Sequence, residues 1–403
     1  MKLLHITSSL DPKMGGVAQA VKTLVSELKE LSVSSEIVTL DSPEADYLDG
    51  ELNTCYPLGP GSGFGQYSSR LLPWLKANIS NFDVCIIHGL WSYHTFAAHK
   101  AIHYLQKQPG NKKLPRILVM PHGMLDPYFQ QAKERRIKAI RNWFYWKFIE
   151  SRVVNEADGL LFTCETELLL ARETFSPYHP KKEYNIGYGI ESPPAYLESM
   201  DKAFKSSCKG LDGAPYLLFL SRIHSKKGID LLLKAYLELH NIMRLASEKL
   251  PKLVIAGPGL DSKFGKALKG QLAGTPEFEN EIFFPGMLSG EAKWGAFYGC
   301  EAFILPSHQE NFGIAVVEAL ACSKPVLISN QVNIWREIST EGGGIIENNT
   351  INGALNMLIR WIDLTPEKKS QMSVRALNAY QNHFTLNRTA QKIVSMISDL
   401  DIN

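Results

Sequence analysis

The sequence predicts an α/β protein built from two Rossmann-like, doubly wound domains. Three observations carry that expectation. Short apolar runs alternate with amphipathic helical patterns through both halves of the chain, the pattern of parallel sheets joined by crossover helices. The runs end in glycine or polar residues, as strands do where their loops form a ligand-binding edge. The length, 403 residues, is enough for two separate cores.

The first half opens with a buried strand over Lys2–Ser9, a loop LDPKMGGV, and a helix with Val17, Val21, Leu24, Val25 and Leu28 on one face. Gly15 and Gly16 would let the backbone approach a ligand and leave helix N–H groups facing a phosphate; a permissive turn without a ligand is the alternative. No GxGxxG follows this strand, which argues against a dinucleotide cofactor. Further strands are expected over Glu36–Leu40, Val84–His88, Ile117–Met120 and Gly159–Thr163. His88 and His122 each fall just after a strand, at the carboxyl edge where open α/β sheets bind ligands. His122 sits in a Pro-His-Gly reversal and is the stronger candidate for a sugar or its phosphate, whereas His88 reads equally as a hydrogen-bonded structural residue.

His94, His99 and His103 fall on the next helix. The i, i+4 pair at 99 and 103 has metal-ligand spacing, but no carboxylate motif lies near it in sequence, so a packed or solvated face is preferred. Residues 131–154 form a long helical pattern with Ile137, Ile140, Phe144 and Phe148 in one stripe and Lys133, Arg135, Arg136, Lys138 and Arg141 near its start. The preferred reading packs the aromatics internally and solvates the charges. Peripheral contact with an anionic membrane is the second reading.

The interdomain linker is expected from Tyr184 to Pro194, followed by a polar stretch of little periodicity to about Gly213. A second series of strands follows over Tyr216–Leu220, Leu253–Ala256, Ile282–Phe284, Phe303–Leu305, Pro325–Ser329 and Gly344–Ile346. After the first, Arg222 leaves the strand and Lys227 precedes a helix, so two fixed cations could hold a diphosphate and neutralise a leaving phosphate without a metal. Gly257-Pro258-Gly259 follows the second strand, and Met287-Leu288 closes the FPGML turn after the third.

The stretch from Ala302 to Ser329 concentrates the chemistry. Glu310 lies in a turn and Glu318 within a helix expected from Gly313 to Cys322. Eight helical positions span about 12 Å, beyond the roughly 5–9.5 Å of a carboxylate pair sharing one bond, so the two read as separate hydroxyl-holding groups. The Asn311-Phe312-Gly313 backbone opens the helix and offers N–H groups to an anion.

These motifs resemble glycosyltransferase family 4, retaining enzymes of the GT-B fold, and are similar to bacterial, including cyanobacterial, exopolysaccharide enzymes. The resemblance rests on Arg222 with Lys227, the strand-end GPG, FPGML, and the Glu, seven residues, Glu pattern of QENFGIAVVEA, with the Gly-Gly loop and PHGM in the first half. It implies two Rossmann-like domains facing across a cleft. Residues 1–195 would hold the acceptor, residues 196–383 the nucleotide sugar, and a last helix over about 384–400 would pack back on the first domain. Carried over by residue, Arg222 and Lys227 contact the diphosphate and Glu318 the ribose. Glu310 with Asn311, Phe312 and Gly313 contacts the transferred sugar. Met287 and Leu288 border the base, Gly16 the phosphates, and His122 the reacting sugar. UDP-glucose is the expected donor and a saccharide or lipid-linked saccharide the acceptor, in polysaccharide biosynthesis. A GT-B-like nucleotide-sugar epimerase and a non-catalytic sugar-nucleotide sensor are the competing readings.

Bulk properties bound the rest. A net charge of +2 argues against a nucleic-acid binder. Six cysteines without a CxxC pair read as buried thiols in a reducing compartment. No metal is expected: the single Asp-x-Asp string, Asp399-Leu400-Asp401, reads as a solvated tail. No other cofactor is expected either. The amino terminus is too polar for a signal peptide, so the expected location is cytoplasmic, with the inner membrane face as the second reading.

Overall fold

A computed structural model describes residues 1–14, 16–48, 54–63, 65–109, 113–132, 135–245, 250–272, 278 and 280–402. Gly15 and Lys133 lie outside the described residues. The chain divides into two units, one of residues 1–188 and 386–403 and one of residues 189–385.

The first unit holds a seven-stranded sheet of β1 (Lys2–Thr7), β2 (Ser34–Thr39), β3 (Cys55–Pro57), β4 (Val84–His88), β5 (Arg116–Met120), β6 (Gly159–Phe162) and β7 (Glu183–Asn185). The order is β3-β2-β1-β4-β5-β6-β7, and the pairings are parallel. Fully buried runs such as Val84–His88 are what a parallel sheet covered on both faces requires. One face packs Leu4, Ile6, Ile87 and Val119 against helices that include Trp146 and Ala98. The other packs Leu3, Ile86 and Leu118 against Leu24 and Leu28 of helix Gly16–Glu30 and against Ile393, Ile397 and Leu400 of helix Leu386–Ile402. Asp399-Leu400-Asp401 is therefore part of a packed helix and not a tail: Leu400 is buried and its carbonyl accepts from Arg116 Nη2 at 3.1 Å.

The second unit holds β8 (Tyr216–Leu220), β9 (Lys252–Ala256), β10 (Ile282–Gly286), β11 (Ala302–Leu305), β12 (Val326–Ser329) and β13 (Gly344–Glu347). Their order is β10-β9-β8-β11-β12-β13, again parallel. In both sheets the order reverses once, between β1 and β4 and between β8 and β11. Those reversals are the switch points at which doubly wound sheets take ligands.

Three expectations need correction. The stretch assigned to a linker begins in strand β7, and its polar continuation contains helix Glu198–Ser207, whose buried Met200 and Phe204 stand one turn apart. That helix lies so close to helix Gly290–Gly299 that a Cβ at Gly295 would meet the Met200 carbonyl oxygen at 2.0 Å. The aromatic stripe of residues 131–154 does not pack internally. Ile137 is 84% exposed, Phe148 61% and Phe144 50%, while the opposite face inserts Asn142, Trp146 and Glu150.

Candidate functional site

In the second unit the carboxyl ends of four neighbouring strands carry the residues singled out in the sequence. Arg222 and Lys227 follow β8, Gly257 and Gly259 follow β9, Met287 and Leu288 follow β10, and Glu310 to Gly313 follow β11. The loop after β8 is fixed by its neighbours. Ser307 Oγ and the His308 N–H both donate to the Lys226 carbonyl, each at 2.8 Å. Gly228 has φ +68°, and a Cβ there would meet the Pro306 carbonyl oxygen at 1.9 Å, so only glycine lets the Lys227 turn lie this close to the end of β11. Gly257 is as tightly placed. A Cβ on it would lie 1.9 Å from the Ser221 carbonyl oxygen, and the Ile223 N–H donates to Pro258 at 2.8 Å. The GPG turn thus buttresses the loop that presents Arg222, whose side chain is exposed.

Lys227 Nζ forms a short ion pair with Glu310 Oε2, both side chains largely buried. The structure therefore brings together the cation expected on the diphosphate and the carboxylate expected on the sugar. Glu310 is held by its backbone as well: its N–H donates to Gln331 at 2.9 Å and its carbonyl accepts from Asn333 at 2.9 Å. Gly313, at φ +79°, caps helix Ile314–Ala321, one residue shorter at each end than expected. Glu318, from that helix, pairs with Lys293 Nζ at 2.7 Å and not with the Lys227 group. Lys293 was not singled out from sequence; its one signal is its place in the first turns of helix Gly290–Gly299, just past FPGML. Met287 is 73% exposed and can cover a planar ring, whereas Leu288 is buried. Phe312 is buried against Phe384, with ring centroids 5.8 Å apart.

In the first unit, Gly16 opens helix Gly16–Glu30, separated from β1 by a loop with a 3-10 turn over Pro12–Met14, and His88 and His122 stand at the ends of β4 and β5. His122 has φ +53°, an unusual conformation for a residue with a Cβ, of the kind that collects at functional sites. Its turn is pinned by Glu167, which accepts from the Gly123 N–H at 2.5 Å and from the Thr163 N–H at 2.7 Å. Burial raises the Glu167 carboxyl above its ordinary range, against the pull of its bonds from Thr163 and Gly123.

His122 is the outer end of a row of rings. His122 Nε2 lies 3.0 Å from His88 Nδ1, and His88 Nε2 lies 3.0 Å from His5 Nδ1. Burial holds His5 down to about 3, His122 to about 4, and His88 well below the ordinary value, so all three are neutral near pH 7. A neutral imidazole has one N–H and one lone pair, so the row runs in one sense. His5 Nε2 is buried without a partner among the described residues. Unpaired acceptors are tolerated inside proteins more readily than unpaired N–H groups. The protons then point outward from His5 to His88 to His122, and His122 Nδ1 becomes an N–H donor, a tautomer assigned from the network. His88 acts here as an orienting group, and His5, overlooked in sequence because it lies inside a strand, sets the direction.

The comparisons with known proteins agree with this division. Residues 15–180 match the glycosyl transferase 4-like domain, and residues 202–378 match glycosyl transferases group 1. One such domain in each unit defines a glycosyltransferase of the GT-B type. The alpha-monoglucosyldiacylglycerol synthase of Streptococcus pneumoniae is 28% identical over 402 residues, covering 92% of this chain and 81% of that protein. The D-inositol 3-phosphate glycosyltransferase of Stackebrandtia nassauensis is 23% identical over 252 residues, 62% of this chain and 56% of its own. Among solved structures, HepE of Anabaena, in complex with UDP and glucose, superposes with a TM-score of 0.70 at 15% identity, covering 99% of this chain and 100% of that one. At that identity the likeness is one of fold.

Proposed function

We propose that the chain is a retaining enzyme that moves a hexose, with glucose the favoured sugar, from a UDP-sugar to a saccharide or lipid-linked acceptor in polysaccharide biosynthesis. The observation that carries this reading is the Lys227–Glu310 pair at the β8/β11 switch point, beside exposed Arg222. Two fixed cations suit a diphosphate whose charge grows as the sugar leaves. In this reading Glu310, paired with Lys227, accepts from sugar hydroxyls, Glu318 accepts from the ribose, and Met287 covers the base. Support for glucose and UDP comes from the names of the relatives: one synthesises a monoglucosyl lipid and one was crystallised with UDP and glucose.

In this reading the bond between the anomeric carbon and the diphosphate oxygen breaks while the acceptor oxygen bonds to the same face. The acceptor proton passes to the departing phosphate oxygen. Arg222 and Lys227 hold the negative charge, so no metal ion is asked to do so, and the His122 N–H steadies the reacting sugar. The outward-facing stripe of Ile137, Ile140, Phe144 and Phe148, with Lys138 and Lys147 on the same helical stretch, favours an acceptor carried in an anionic membrane surface. Among the described residues no helix is long and apolar enough to cross a membrane.

Loss of one such preorganised cation costs about 3 kcal/mol of transition-state stabilisation, roughly a hundredfold in rate. Arg222→Ala and Lys227→Ala are therefore expected to fold normally and turn over about a hundredfold more slowly with UDP-glucose. Near-normal kinetics in either variant removes the assignment. Release of UDP only when an acceptor is present supports transfer; an isomerised donor without acceptor identifies an epimerase, and binding without turnover a sensor.

A further inference from the structure

Away from the sheet edge, two histidines and a carboxylate converge on one point. His99 and His103 stand one turn apart on helix Tyr93–Gln106, and Glu156 reaches them from the end of helix Ser151–Glu156. His103 Nε2 lies 2.8 Å and His99 Nε2 3.0 Å from the same oxygen, Glu156 Oε2, and the two nitrogens are 3.1 Å apart. Among the described residues no other three metal-ligating side chains gather in this way. We propose that His99, His103 and Glu156 form a binding site for a first-row divalent cation of the zinc type.

Proton bookkeeping is the first argument. Each imidazole nitrogen at the centre carries either a proton or a lone pair, and the carboxylate oxygen only accepts. With protons on both nitrogens, the contact between the rings sets donor against donor. With a lone pair on one, that ring and the carboxylate set acceptor against acceptor. No arrangement of neutral rings makes all three contacts hydrogen bonds, whereas one cation accepts three lone pairs together.

Geometry is the second. A triangle with edges of 2.8, 3.0 and 3.1 Å leaves its corners about 2.05 Å from a point roughly 1.1 Å above its plane, and zinc bonds to nitrogen and carboxylate oxygen at about 2.0–2.2 Å. The angles at that point would be near 90°, with further positions open to water. Two imidazoles favour zinc, cobalt or nickel over magnesium and calcium, which prefer all-oxygen sites. The site also has an apolar floor of Ile87, Ile117, Val153 and Ala157.

A bound cation would clip the helix that follows β4 to the helix that precedes β6. It takes no part in transfer at the carboxyl edge, so its signature is stability and not turnover. The test uses the whole chain, stripped with chelator and titrated with zinc by calorimetry, with cobalt as the spectroscopic probe. One zinc per chain is expected, with affinity lowered at least tenfold in His103→Ala and reduced in Glu156→Gln. Zinc at a hundred times its dissociation constant should shift the folded-to-unfolded ratio about a hundredfold in the wild type and far less in His103→Ala. His103 is 40% exposed, so its removal spares the core. Equal zinc binding by wild type and His103→Ala, or cobalt spectra that do not differ between them, would overturn the site. A magnesium-induced shift as large as that from zinc would overturn the assigned class.

Discussion

His122 combines a backbone in the left-handed region, a carboxyl-edge position and a proton state dictated from within the sheet. Its ordinary pKa near 6.5 falls to about 4 in the folded chain through burial, and that has a definite consequence for stability. A base whose folded pKa is depressed leaves the unfolded chain as the better proton acceptor. The stability it supports is complete above pH 6.5 and drains away as pH falls toward 4. Between pH 7 and pH 5 the loss through this residue is at most about 2 kcal/mol, with solvent screening lowering the figure. His122→Asn tests this, because asparagine tolerates the left-handed backbone and does not titrate. Urea unfolding at the two pH values should show a smaller drop in the variant than in the wild type. Equal drops would mean that the ring is protonated at pH 5 and that the neutral row from His5 is wrong.

At the scale of elements, the sequence reading succeeded where burial on both faces leaves an unbroken apolar run, as in β4, β8 and β12. It failed at the sheet margins. Strands β3 and β7 are three residues each, with Tyr56 and Tyr184 too isolated to show a period. Helix Glu198–Ser207 buries only Met200 and Phe204 between charged neighbours, so its face reads as a polar linker. The candidate residues after β8 and β11 were legible because loops at strand ends carry their own chemistry. The partners, Lys293 for Glu318 and Glu167 and His5 for the turn and ring of His122, were not, since pairing across many residues leaves no local pattern. Helix Arg136–Tyr145 and the turns after it misled for a related reason. Its stripe has core periodicity, but the core side is the one bearing Asn142, Trp146 and Glu150. The burial of Glu150, which pushes its carboxyl up to about 7 against bonds from the Trp91 N–H and Thr95, marks that face as the inner one. Exposed substitutions usually change stability by less than about 0.5 kcal/mol. Phe144→Glu with Phe148→Glu should therefore leave the melting temperature unchanged while removing co-sedimentation with anionic phospholipid vesicles. Undiminished vesicle binding would separate the stripe from any membrane role.

Over the whole molecule, the two units differ in how the chain closes them. The second is one continuous segment, residues 189–385, but the first is completed by the last helix, Leu386–Ile402. That helix places Ala390, Ile393, Met396, Ile397 and Leu400 against Leu3, Leu28 and Ile86, and Asn387 Nδ2 donates to Glu27 at 2.9 Å. Without it the sheet face beside helix Gly16–Glu30 would lose an entire apolar cover. Emptying a buried leucine or isoleucine site costs about 2–5 kcal/mol. Emptying the four large sites, Ile393, Met396, Ile397 and Leu400, therefore costs about 8–20 kcal/mol, as much as the 5–15 kcal/mol by which a domain is ordinarily stable. A chain ending at Thr385 should keep a cooperatively folded second unit and lose the first. Tryptophan reports the two separately, since Trp91 and Trp146 are buried in the first and Trp361 in the second. Single-tryptophan versions of the shortened chain should show a denaturant transition at Trp361 but solvent-exposed emission at Trp146 in buffer. A cooperative transition at Trp146 in that chain would mean that the first sheet holds without the helix, and that the crossing serves connection and not stability.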